Sequence, residues 1–182
     1  MTISIVVEGP RDEELIRTVM ASVVSPDSIR VVRAGGRSHA VSVAGTTLAL
    51  REDPVVLAID ADATNERLVA EQRSNLHTLL NRAASPDRWC LALFIPELEI
   101  VLVEDDAVVQ RLFGRSLDEV ERELRDVAPK KALARLLGAS KQGWPDIITR
   151  LNEDRDLAAM VATAPGLREI VEFTQRVTAN AA

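Results

Sequence analysis

Glu8, Asp60 and Asp62 are the residues of this chain whose type and placement best fit a chemical role. Glu8 directly follows the apolar run Ile3-Ser4-Ile5-Val6-Val7, and Asp60 and Asp62 close the run Pro54–Ile59. A third acidic pair, Glu97 and Glu99, follows Trp89–Ile95 and Pro96, while Asp12 stands just past the Gly9-Pro10 turn after Glu8. Carboxylates brought together repel one another and are costly to desolvate unless a cation joins them. Oxygen ligands without histidine or cysteine favour magnesium or manganese over zinc. Such ions activate water and stabilise charge on a transferring phosphate. The expected chemistry is therefore metal-dependent attack on a phosphoryl centre. It requires a fold that brings Glu8 to Asp60 and Asp62.

Each acid also has a plainer role open to it. Asp12 suits a helix N-terminus as a favourable negative charge. Asp62 could be the N-cap of a helix opening at Thr64. Glu97 and Glu99 could face solvent on a first helical turn. Gly35 and Gly36 precede Arg37 at a strand-to-helix turn, where free N–H groups suit an anion, so these three are candidate phosphate contacts. A surface arginine on a turn is the competing reading of Arg37. His39 and His77 lack ligand spacing, Cys90 lies in an apolar run that reads as core, and Trp144 reads as packing or as a partner contact.

The elements that must position these groups alternate along the first half. Strands are expected at Ile3–Val7, Ile29–Arg33, Pro54–Ile59 and Trp89–Ile95, and the continuous apolar Pro54–Ile59 run suits a strand buried on both faces. Between them, apolar residues recur at helical spacing in Arg11–Val24 and Thr64–Ala83, with a further helix over about His39–Leu50. This β-α-β-α-β-α-β order predicts an α/β fold with a parallel four-stranded sheet and helices on both faces. Ligands of such sheets gather outside the carboxyl ends of the strands, where the three acidic groups fall.

After Pro96 the pattern is wholly helical. Segments are expected at Glu97–Glu104, Asp106–Phe113, Leu117–Asp126, Pro129–Leu137, Pro145–Leu151 and Pro165–Val177, with a tail, Thr178–Ala182, that frays. Ser116 with Glu119 has the form of a capping box, and Pro129, Pro145 and Pro165 suit first-turn positions. The whole chain, 1–182, reads as one domain with an α/β core over 1–100 and a helical extension over 101–182.

Composition narrows the partners. A net charge of −6 over 182 residues weighs against tight nucleic-acid binding by the isolated chain, because duplexes are held largely through Lys and Arg on phosphates. Either a partner supplies the basic surface or binding is weak. No apolar run approaches the ~18 residues that span a bilayer, and no secretory leader pattern precedes the first strand, so no membrane contact and a cytoplasmic location are expected. The single cysteine excludes an internal disulfide and a multi-cysteine zinc ribbon.

These residues resemble the TOPRIM domain of topoisomerases, primases, recombination proteins and OLD-family nucleases. Val6-Val7-Glu8-Gly9-Pro10-Arg11-Asp12 resembles its first motif and Ile59-Asp60-Ala61-Asp62 its second. Val32-Arg33-Ala34-Gly35-Gly36-Arg37-Ser38 resembles the glycine-rich segment of OLD-type members, and Pro96-Glu97-Leu98-Glu99 an acidic segment of short TOPRIM-like proteins. The likeness covers roughly the first hundred residues. It implies a TOPRIM/Rossmann-like sheet, with Glu8 as general base or ligand and Asp60 and Asp62 as magnesium (or manganese) ligands. Asp12, Glu97 and Glu99 would be further ligands. It also implies a lysine from the later region, for which Lys141 is the candidate, ahead of Lys130 and Lys131. An ATPase partner subunit is a further implication.

The chain has no tyrosine for a topoisomerase-type link and too few cysteines for a primase zinc module. A nuclease acting on nucleic acid is the remaining catalytic expectation. The alternatives are a non-catalytic interaction or sensor subunit docked on an ATPase, and a small-nucleotide phosphohydrolase.

Overall fold

In the computed structural model, which describes residues 2–180, the apolar runs become β1 (Ile3–Val7), β2 (Ile29–Arg33), β3 (Val55–Asp60) and β4 (Trp89–Phe94). They form one all-parallel sheet in the order β2-β1-β3-β4, with Val6 opposite Val32 and Leu57, and Asp60 opposite Phe94. β1 and β3 are central and buried throughout, which accounts for their unbroken apolar character.

α1 (Pro10–Val23) leaves β1 on one face, where Leu15, Ile16, Val19 and Met20 pack with Ile3, Ile5, Val7, Val56 and Ala58. α2 (Arg37–Leu50) and α3 (Glu66–Ala83) cover the other face, against Val6, Leu57, Ile59 and Leu93. The helices leaving the neighbouring strands β1 and β3 thus part to opposite faces. This opens a crevice at the carboxyl ends of these two strands.

The second half comprises α4 (Asp106–Phe113), α5 (Glu119–Val127), α6 (Pro129–Ser140), α7 (Trp144–Glu153), α8 (Arg155–Val161) and α9 (Pro165–Asn180). These helices fold back over the α1 face: Val109, Leu112, Leu136, Ile147, Leu157, Leu167 and Phe173 join the same core as Ile5 and Phe94. The helical half is therefore a layer of the core. Among the described residues no helix is long and apolar enough to cross a membrane.

Local chemistry shifts several expected boundaries. Asn65, rather than Asp62, caps α3, its side chain accepting from the Arg67 and Leu68 amides, so that helix opens at Glu66 and not at Thr64. The capping box of α5 uses Asp118 and Glu121 instead of Ser116 and Glu119, and Glu121 also engages Arg115. Glu97–Glu104 is not an α-helix but a 3-10 segment over Leu98–Leu102, whose first amide is taken by the Asp60 side chain. α8 went unforeseen; it is seven residues long and capped by Asp154. The expected fraying tail is helical through Asn180, and its last two residues lie outside those described.

Gly166, in the first turn of α9, lies against the ring of Phe94 at the end of β4. A Cβ there would stand 2.5 Å from Phe94 Cε1 and 2.6 Å from Cδ1. Both residues are buried, so Gly166→Ala is expected to cost about 1–3 kcal/mol as the ring is forced to shift. Urea denaturation checks this; an unchanged midpoint would mean that the ring moves aside freely.

Candidate metal and phosphate site

The crevice between β1 and β3 is held together through the backbone of Asp60. Its N–H donates to Glu8 Oε1 at 3.1 Å, and its carbonyl accepts from Arg37 Nη1 at 2.7 Å. Arg37 also donates to Gln72 Oε1 at 2.9 Å and lies 3.7 Å from Asp62 Oδ2. Asp62 adopts a left-handed conformation (φ 52°), with its side chain 65% exposed. Glu8, Asp60, Asp62 and Arg37 therefore share one edge.

The glycine loop serves this edge from behind. Gly35 and Gly36 adopt positive φ (85° and 122°), and both amides donate to the Glu8 carbonyl at 2.9 Å. These N–H groups, expected to be free for phosphate, are spent on fixing Glu8. Asp12 likewise accepts from the Gly9 amide at 2.8 Å and closes the first turn of α1.

A second cluster lies on the other side of Asp60. Its Oδ1 accepts from the Leu98 amide at 2.8 Å and its Oδ2 from Lys130 Nζ at 3.0 Å. The same ammonium lies 3.5 Å from Glu97 Oε1 and 3.7 Å from Glu99 Oε2. Glu97 Oε2 also accepts from the Lys130 amide at 3.1 Å, which satisfies one of the free N–H groups at the start of α6. The Glu99 side chain is only 5% exposed, and its Oε2 has no hydrogen-bond partner.

Burial dominates the electrostatics. Desolvation raises the pKa of Glu8; the hydrogen bond from the Asp60 amide opposes the shift, and the nearby charges of Asp60 and Asp62 add to it. Asp60 is also raised by burial, even though Lys130 opposes the shift. Glu99 is pushed up to about 7, again by desolvation first, with Lys130 acting against it. For Lys130, burial disfavours the charge, but Asp60, Glu99 and Glu97 outweigh it and hold the ammonium above the ordinary lysine value. Burial, more than mutual repulsion, sets these shifts.

The lysine that meets these carboxylates is Lys130. Lys141 is the exposed, left-handed C-cap of α6, about 16 Å along that helix from Lys130. A signal for Lys130 exists in the sequence: cations in a first helical turn oppose the helix dipole, so Lys130 and Lys131 after Pro129 call for nearby carboxylates. The other singled-out residues have structural partners. Trp144 donates to Glu14 and carries Arg11 over its ring, and His77 meets Trp89 edge-on. The half-buried Cys90 thiol is pushed up to about 12 by burial, which leaves it unreactive.

The donor chemistry fits a hard divalent ion: every candidate ligand is a carboxylate oxygen, and the unpartnered Oε2 of Glu99 is an unspent one. The spacing is that of carboxylates gathered around an ammonium. Among the described residues, no three Asp, Glu, His or Cys side chains converge tightly enough to hold an ion as they stand. Comparison with protein-family models, with curated proteins and with solved structures finds no match to this chain.

Proposed function

We propose that this chain is a magnesium- or manganese-dependent nuclease of TOPRIM type that cleaves phosphodiester bonds in nucleic acid. The observation that carries this reading is the meeting of Glu8 and Asp60 at the crevice between β1 and β3, ringed by further half-buried and buried carboxylates. Glu8, Asp60 and Asp62 would hold the ion on one side, with Glu97 and Glu99 as further donors. A bound ion would supply Lewis-acid stabilisation of the charge that develops on phosphate.

The chain's own groups do the rest. Glu8, held by the Asp60 amide and by the clamp on its carbonyl, is placed to take a proton from attacking water. Lys130 is the ammonium placed to meet phosphate charge. Arg37 braces the edge through the Asp60 carbonyl and Gln72. The net charge of −6 supports dependence on a partner, an ATPase subunit in our reading, for holding nucleic acid.

Cleavage of supercoiled plasmid, single-stranded DNA and RNA tests this, with magnesium, manganese or chelator and with any partner ATPase. Activity is expected with manganese or magnesium and none with chelator. Glu8→Gln is expected to reduce it by about 10²–10⁴-fold. Equal cleavage by Glu8→Gln sinks the reading. A parent chain that never cleaves, yet binds the ATPase, makes it an interaction subunit instead.

A further inference from the structure

We propose that the carboxylates of Asp60, Glu97 and Glu99 form a cation seat that Lys130 fills in the absence of a divalent ion, so that ion binding and Lys130 docking exclude each other. This rests on the metal-dependent reading above and adds a built-in competitor to it.

The geometry is that of a cation site with an ammonium as its occupant. Lys130 Nζ faces three carboxylates from 3.0 to 3.7 Å, contributed by β3 and by the segment after β4. One positive charge among three acids leaves the seat under-neutralised, and a divalent ion, with the carboxylates drawn in around it, would match it better. Glu99 makes the mismatch concrete. Its side chain is 95% buried, and its Oε2 points at the ammonium from 3.7 Å without a hydrogen bond. A buried carboxylate oxygen without a hydrogen bond is an unused ligand.

Lys130 is also built to leave. Its backbone is fixed, because its amide donates to Glu97 and Pro129 precedes it at the start of α6. Its side chain is 48% exposed, so the ammonium can turn into water on its flexible stem once an ion takes over its carboxylate partners. The helix stays while the charge moves. A displaced ammonium stays tethered to this edge by its fixed backbone, within reach of an incoming phosphate.

Calorimetric titration of the parent, Lys130→Gln and Lys131→Gln with manganese and with calcium tests the competition. Lys131 is exposed one residue away and serves as the control for loss of a charge in general. Lys130→Gln is expected to bind the ion about ten-fold or more tightly than the parent, with Lys131→Gln close to the parent. Equal or weaker binding by Lys130→Gln overturns the seat while leaving the metal reading standing. Absence of binding in all three proteins overturns both.

Should Lys130→Gln fail to fold without an ion, the parent alone decides. The rate at which an amine-reactive acylating reagent modifies Lys130, followed by mass spectrometry, is expected to rise when calcium is added. An unchanged rate under calcium concentrations that saturate binding overturns the proposal.

Discussion

Asp60→Asn is expected to lower ion-dependent cleavage by about 10³-fold while leaving the fold in place. Position 60 holds its neighbours in two separable ways. Its amide and carbonyl fix Glu8 and Arg37, and asparagine keeps both. Its side chain accepts from the Leu98 amide and from Lys130, and asparagine can keep one acceptor but not the charge. The substitution therefore removes the shared carboxylate of both clusters without dismantling the crevice. Burial already raises the Asp60 pKa, so the loss of its charge is expected to change stability by no more than about 1 kcal/mol. Cleavage rates with matched denaturation curves check this. A folded Asp60→Asn chain with parental activity would remove Asp60 from the chemistry.

A larger effect on stability is expected at the start of α5. Arg115 donates to both oxygens of Glu121, at 2.8 and 2.5 Å, and the Glu121 side chain is only 1% exposed. Arg115→Met keeps much of the volume but strands this carboxylate with the Asp118 amide as its remaining donor. The expected loss is about 3–5 kcal/mol, because the group left behind is the buried one.

The pH dependence fixes the sign. The Arg115 hydrogen bonds hold the Glu121 pKa below its ordinary 4.5 in the folded chain. Its stabilising contribution is therefore present above that value and is lost as pH falls through the lowered one. The gap between parent and variant should accordingly narrow in acid. Denaturation midpoints measured from neutral to acidic pH would show it, and a gap independent of pH would assign the loss to packing.

Much of the sheet was legible because its strands are buried on both faces, so Ile3–Val7 and Pro54–Ile59 appear as unbroken apolar runs bounded by acids and turns. The acids at the strand ends could be placed on one edge for the same reason. What tertiary contacts decide was not legible. Ser116 with Glu119 and Asp118 with Glu121 are equally good capping boxes locally, and the second is the one whose members also pair with Arg115 and Arg135. Gly35 and Gly36 look like an anion loop until the Glu8 carbonyl claims their amides. Lys130 and Lys141 differ in which end of α6 meets the sheet, and that depends on how the helical half folds back.

That fold-back has a consequence for a chain still being made. The acidic edge is complete once Glu99 has emerged, whereas the ammonium that neutralises it belongs to a helix synthesised afterwards. At ribosomal speeds the interval is on the order of seconds. During it Asp60, Glu97 and Glu99 lack their ammonium, next to the apolar residues of β4 that α9 has yet to cover. Until Lys130 arrives, ions from solution share in offsetting those charges.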